Sequence, residues 1–272
     1  MRRLSLAIAV ASFASAFAFA SNAHATPKFN PFTYPYDTLG EGEVEMELYA
    51  DAVPLKAQNA SSGAAQWYTA TQFQVELEYG ITNRLELGLY VSIVPSPSAA
   101  LTNTATLTEG NGLKQRLRYR FVDEGVWPID VALYGEIVEN DREIELEAKV
   151  ILQKRIGALR ALVNLWGERE YYSANLREWV LNPTAALSYQ VTPSIFPGIE
   201  GWMRVEWPDP SVHPRPFNLG PNAYVGPTMS FNFGRFWWTT GAYVRVNDPF
   251  RSLEPGDAFG NVWFRSIVGI EL

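Results

Sequence analysis

The stretch from Gln72 to Ile93 restricts the folds open to this chain more than any other. Phe73, Val75, Leu77, Tyr79 and Ile81 take every second place, with Gln72, Gln74, Glu76 and Glu78 between them. After Thr82-Asn83-Arg84 the alternation resumes through Leu85, Leu87, Leu89, Val91 and Ile93. A side-chain period of two puts the apolar set on one face and the polar set on the other. The run is too long for one ordinary strand, but two strands of about ten residues joined by a tight turn fit it. Strands of that length, apolar outside and carboxylate-bearing inside, suit a closed antiparallel barrel that crosses a bilayer.

The N-terminus predicts export. Arg2 and Arg3 precede an uncharged run from Leu4 to Ala20, and Ala23-His24-Ala25 offers a small-x-small cleavage site, so residues 1–25 read as a signal peptide. Removing them leaves 20 basic and 29 acidic residues. That balance argues against nucleic acid, which needs clustered Lys and Arg. Cysteine is absent, which excludes disulfides and thiolate metal sites. No later stretch supplies the roughly 20 apolar residues of a membrane-crossing helix.

Residues 26–42, rich in Pro and aromatics, are expected to form an irregular periplasmic lead-in, with the barrel over 43–272. The first strand is expected over 43–53, and a long polar segment over 54–66 leads to the second. Strands follow near 114–121, 129–138, 143–150, 159–170, 179–191, 199–207, 223–233, 236–246 and 262–272. The total is twelve, with ten or fourteen open to a one-hairpin error. Connections after even-numbered strands are mostly tight and those after odd-numbered strands mostly longer, which places both termini in the periplasm. Trp67, Tyr68, Trp179, Trp207, Trp237 and Trp238 fall near strand ends and are expected to form membrane girdles. A soluble sandwich also alternates, but twelve such strands do not easily share one sandwich core.

Tyr36-Asp37-Thr38-Leu39-Gly40-Glu41-Gly42-Glu43-Val44-Glu45 and Glu76-Leu77-Glu78-Tyr79-Gly80-Ile81-Thr82-Asn83-Arg84-Leu85-Glu86-Leu87 resemble a largely uncharacterised group of bacterial outer-membrane barrels. Its members are labelled transporters or grouped with the phenol meta-pathway outer-membrane family. The resemblance covers about the first third of the exported chain and implies a Gram-negative outer-membrane location. It also implies lipid, periplasmic chaperones and the barrel-assembly machinery as partners. Such barrels usually end on an aromatic residue, whereas this chain ends on Leu272.

Candidate chemistry is confined to the inward phase. Glu43, Glu45, Glu47, Glu76, Glu78, Glu86, Glu143, Glu145 and Glu147 share it with Lys114, Arg116, Arg118, Arg120 and Arg204. These are read as a lumen lining in which carboxylates outnumber bases and face the basic strand that carries Lys114 to Arg120. So many buried charges require pairing or water. No Asp/Asn/Gly calcium loop accompanies the carboxylates, so no metal or cofactor is predicted. His213, in a proline-rich loop, lacks the partners of a nucleophile–base–orienter pattern, which argues against an enzyme. The resulting expectation is a narrow channel for small solutes with a mainly acidic lumen. The rival is a closed structural barrel acting through its outer loops.

Overall fold

The computed structural model describes residues 27–272 apart from 106, 108–109, 173–176, 210–220 and 249–253. Residues 1–25, where a signal peptide is expected, and His213 lie outside the described residues. The chain is all β: β1 (Val44–Asn59), β2 (Ala65–Thr82), β3 (Leu85–Ile93), β4 (Leu101–Thr102), β5 (Gly112–Arg120), β6 (Asp130–Asn140) and β7 (Glu143–Ile156). It continues with β8 (Leu159–Tyr172), β9 (Arg177–Leu181), β10 (Thr184–Tyr189), β11 (Ile195–Pro208), β12 (Asn222–Asn232), β13 (Phe236–Arg245) and β14 (Val262–Glu271).

Each wall strand pairs antiparallel with its sequence neighbour, and β14 pairs with β1 to close the sheet. β9 and β10 are two halves of one wall strand, both held between β8 and β11. The strand expected over 179–191 is therefore broken at Asn182-Pro183, because proline offers no amide to the ladder. With the two-residue β4 only extending the tip of β1, the barrel has twelve strands. Closure leaves no unpaired edge.

The hairpin of β2 and β3 sets Leu77 opposite Leu89 and Val75 opposite Val91. Val75, Leu89, Val91, Leu113 and Leu117 are exposed, while Glu76, Glu78, Glu86, Arg116 and Arg118 are buried. A continuous apolar exterior on this scale is unfavourable in water and is what hydrocarbon requires. Leu89→Arg is expected to cost about 2–4 kcal/mol near the bilayer midplane, measured by reversible urea unfolding in lipid. A cost no larger than that of Arg at the rim residue Thr82 would reverse the assignment of faces.

One expected loop is strand. Residues 54–59 and 65–66 continue the first hairpin, with Pro54 opposite Thr69 and Ala57 opposite Gln66. The polar half of the alternation disappears there because the inward positions become Val53, Leu55 and Ala57, all fully buried. The interior turns from charged to apolar toward the far end of β1, so loss of inward charge is not loss of strand.

The largest departure concerns residues 27–40, expected outside as a lead-in. Most of them are buried, and their contacts place them within the barrel.

Candidate functional site

The internal segment enters at the end of the barrel where β1 begins. Gly42 donates its amide to Gly80 O at 2.8 Å, and Gly80 N donates to Glu43 O at 3.0 Å. A Cβ on Gly80 would lie 1.9 Å from the Gly40 carbonyl oxygen, so only glycine permits this close passage. Leu39 N donates to Glu86 at 2.8 Å, and the Tyr36 hydroxyl donates to Val122 O. Higher up, Tyr34 N donates to Asn164 Oδ1 at 2.7 Å, and Asn164 Nδ2 donates back to Tyr34 O at 3.2 Å.

At the apex, Phe32 N and Thr33 N donate to Glu200 Oε1 at 3.0 and 2.5 Å, and the Tyr243 hydroxyl donates to the same carboxylate. The Phe32 ring packs 4.9 Å from Trp202 and 5.1 Å from Tyr243, with the Arg265 guanidinium 4.0 Å over it. Asn30 meets Thr228 at 3.2 Å. Lys28 Nζ then reaches Glu47 at 2.5 Å, Glu76 at 3.2 Å and Glu78 at 3.4 Å, and it also contacts the Tyr49 hydroxyl. Side chains of the wall thus satisfy the backbone of a segment that has no ladder of its own. Burial works against the Lys28 charge, but Glu47, Glu76 and Glu78 outweigh it and hold its pKa above the ordinary lysine value.

The inward residues gather into two ionic clusters. In the first, Arg116 donates to Glu76 at 2.7 Å, Glu86 at 2.6 Å and Tyr90 at 2.8 Å, and it also reaches Glu78. Arg118 pairs with Glu86 at 2.7 Å. Gly88 makes room, since a Cβ there would lie 2.5 Å from Arg116 Nε. Glu45 accepts from the Trp237 indole at 2.7 Å. In the second, Arg204 holds Glu168, Glu170 and Glu206 at 2.9, 2.6 and 2.6 Å, and Lys149 holds Glu147 at 2.5 Å. Lys114 lies 3.7 Å from Glu136. Glu145 and Glu147 border a cavity of about 70 Å3 between Phe32 and the loop residue Phe259. Glu143 is buried beside Asn140, 3.3 Å away.

Two lining residues sit at the rim instead. Glu43 accepts from Gly40 N at 2.7 Å, and Arg120 caps Asn83 O at 2.9 Å. Glu43 immediately precedes β1 and Arg120 is the last residue of β5, both at the end of the barrel where the segment enters. The girdle set also divides. Trp67, Trp179, Trp207 and Trp238 are exposed on the outside, whereas Trp237 is fully buried and Tyr68 turns inward to Ala105 O at 2.6 Å. Neighbours in a strand face opposite sides, so each adjacent aromatic pair can give only one ring to the girdle. Trp237 instead covers Gly269, whose missing Cβ would lie 2.1 Å from the indole.

Lys28, Phe32 and Tyr34 are the residues that sequence reading left out of the site. The available signal was the run of aromatics at Phe29, Phe32, Tyr34 and Tyr36, costly in a segment assigned to water. Two carboxylate triplets, Glu45/Glu47/Glu78 and Glu145/Glu147/Glu168, bring oxygens within 4.8 Å of one another, as a cation would need. A lysine ammonium already lies against each triplet.

A closed barrel with an apolar exterior and a charged interior defines an outer-membrane-type β-barrel, here with its N-terminal segment folded inside as a plug. The family model DUF6662, described as a family of unknown function, matches residues 22–248, and the chain belongs to that family. No curated protein matches the sequence. The COG4313 outer membrane channel from Pseudomonas putida F1 superposes with a TM-score of 0.59 at 14% identity, covering 87% of this chain and 98% of that one. The NanC porin superposes with a TM-score of 0.55 at 8% identity, covering 84% of this chain and 100% of its own. The KdgM porin in complex with oligogalacturonate gives 0.51 at 7% identity, covering 84% and 99%. At these identities the likeness is one of fold.

Proposed function

We propose that the protein is an outer-membrane channel for small solutes whose passage is held shut by the plug of residues 27–40. The observation that carries this reading is how the plug is held. It adds no strand to the wall, and its apex rests on one carboxylate, Glu200, and one aromatic group around Phe32. Such a segment can leave without breaking a single wall ladder. The barrel likeness to a channel and two porins, and the resemblance of residues 36–45 and 76–87 to transporter-labelled barrels, support the same reading. Lipid would contact the apolar exterior, with Trp67, Trp179, Trp207 and Trp238 at the headgroup level. The mainly acidic lining favours cations and neutral solutes over anions.

The absence of native cysteine makes a direct test possible. In Asn30→Cys/Thr228→Cys, oxidation should tie the plug to β12 and abolish conductance in planar bilayers, and reduction should restore it. Conductance indifferent to oxidation would show that solutes do not pass the plug. Silence in both states would favour the closed structural barrel.

A further inference from the structure

We infer that the inward pocket of Glu47, Glu76, Glu78 and Tyr49 is a binding site for the primary ammonium group of a small organic cation. Lys28 fills it in the plugged barrel as a tethered stand-in. The inference deepens the channel reading above, since an external cation enters the pocket only if the plug can leave.

The pocket is matched to an ammonium on an alkyl stem. A –NH3+ group has three donors and no acceptor. Lys28 Nζ finds carboxylates at 2.5, 3.2 and 3.4 Å together with the Tyr49 hydroxyl. The Tyr49 ring of the wall flanks it at 5.1 Å, within cation–π range, and Tyr34 of the plug itself adds a second ring at 4.8 Å while the plug is seated. Capacity is left over: Glu47 Oε1 is completely buried and accepts no hydrogen bond from the described residues, so one lysine does not exhaust the acceptors.

The pocket does not depend on its present occupant for its shape. Glu76 is held at 2.7 Å by Arg116, which also grips Glu78, and Arg116 is fixed in turn by Glu86 at 2.6 Å and Tyr90 at 2.8 Å. All these groups belong to β2, β3 and β5. Withdrawal of the plug therefore leaves carboxylates already in place.

The lumen repeats this chemistry. Lys149 Nζ sits 3.7 Å from the Trp166 ring, 4.0 Å from Tyr134 and 4.1 Å from Tyr34, with Glu147 at 2.5 Å. That second aromatic and carboxylate cage is filled permanently from the wall, whereas the first is filled by a segment that can move.

The test uses the full chain refolded in detergent. Lys28→Ala should bind n-propylammonium at least tenfold more tightly than wild type by calorimetry. Tetramethylammonium, which has no N–H, should not bind, and adding Glu47→Gln/Glu78→Gln should remove the n-propylammonium signal. Equal binding to wild type and Lys28→Ala would overturn the site. So would equal affinity for tetramethylammonium, or a preference for calcium. If Lys28→Ala does not refold, wild type supplies the second measurement. n-Propylammonium should then speed proteolysis within residues 27–40 severalfold over tetramethylammonium at equal ionic strength, and equal rates would overturn the inference. Neither readout needs conductance, so a barrel that binds the amine but stays silent in bilayers would reject the channel and keep the site.

Discussion

Arg116→Met is expected to destabilise the refolded barrel by about 3–5 kcal/mol, the penalty for breaking a buried ionic group from one side. The guanidinium is fully buried and is shared by Glu76, Glu78 and Glu86. Methionine keeps much of the volume but leaves Glu76 and Glu78 to Lys28 and Glu86 to Arg118, with no cation joining all three. Arg116→Lys should recover little, because an ammonium cannot reproduce the planar fork that reaches three carboxylates and Tyr90 at once. The rim pair Arg84–Asp123, 3.5 Å apart and largely exposed, is the control, and Arg84→Met should cost no more than about 1 kcal/mol. Urea unfolding followed by tryptophan fluorescence measures both. Equal losses at the two sites would mean that the inner carboxylates are neutral or hydrated.

Glu200→Ala should change gating more than any other single substitution. The Glu200 carboxylate takes two plug amides and the Tyr243 hydroxyl, with no cation among its partners in the described residues. Truncation orphans both amides at the apex, and each buried orphan costs about 1–3 kcal/mol. It also relieves the empty barrel of a buried carboxylate, which pushes the equilibrium the same way. At about 1.4 kcal/mol per factor of ten, even the lower sum of about 2 kcal/mol raises the unplugged population roughly thirtyfold. Open time in planar bilayers and cleavage of residues 27–40 by added protease should rise together. Wild-type behaviour in both would show that Glu200 does not anchor the plug.

The wall of this barrel was legible because period two is a property of the strand itself. Leu77, Leu89 and Val91 announce their face without reference to any neighbour. The ends of strands were less legible where the lumen changed character. Val53, Leu55 and Ala57 face inward like Glu45 and Glu47, yet carry no charge to mark the phase. The plug was not legible at all as a plug, since its shape is dictated by partners such as Glu200 and Asn164, 168 and 130 residues away. The ionic lining was partly legible. The inward phase found Arg116 and its acids, but it paired Glu147 with the basic strand, whereas Lys149 of its own strand holds it.

Sequence distance also sets the order in which the plug acquires its contacts. The carboxylates that bind Lys28 lie 19 to 50 residues downstream, all on the first two strands, whereas Glu200 and Thr239 follow Phe32 and Lys28 by 168 and 211 residues. Short loops close at less entropic cost than long ones. The lysine therefore has its partners as soon as the first hairpin forms, and the apex waits for the last third of the chain. Anchored in this way, the segment is carried on the inner surface of that hairpin while the later strands are added. The wall then closes around a tenant already in residence, and no thread has to find its way into a finished bore.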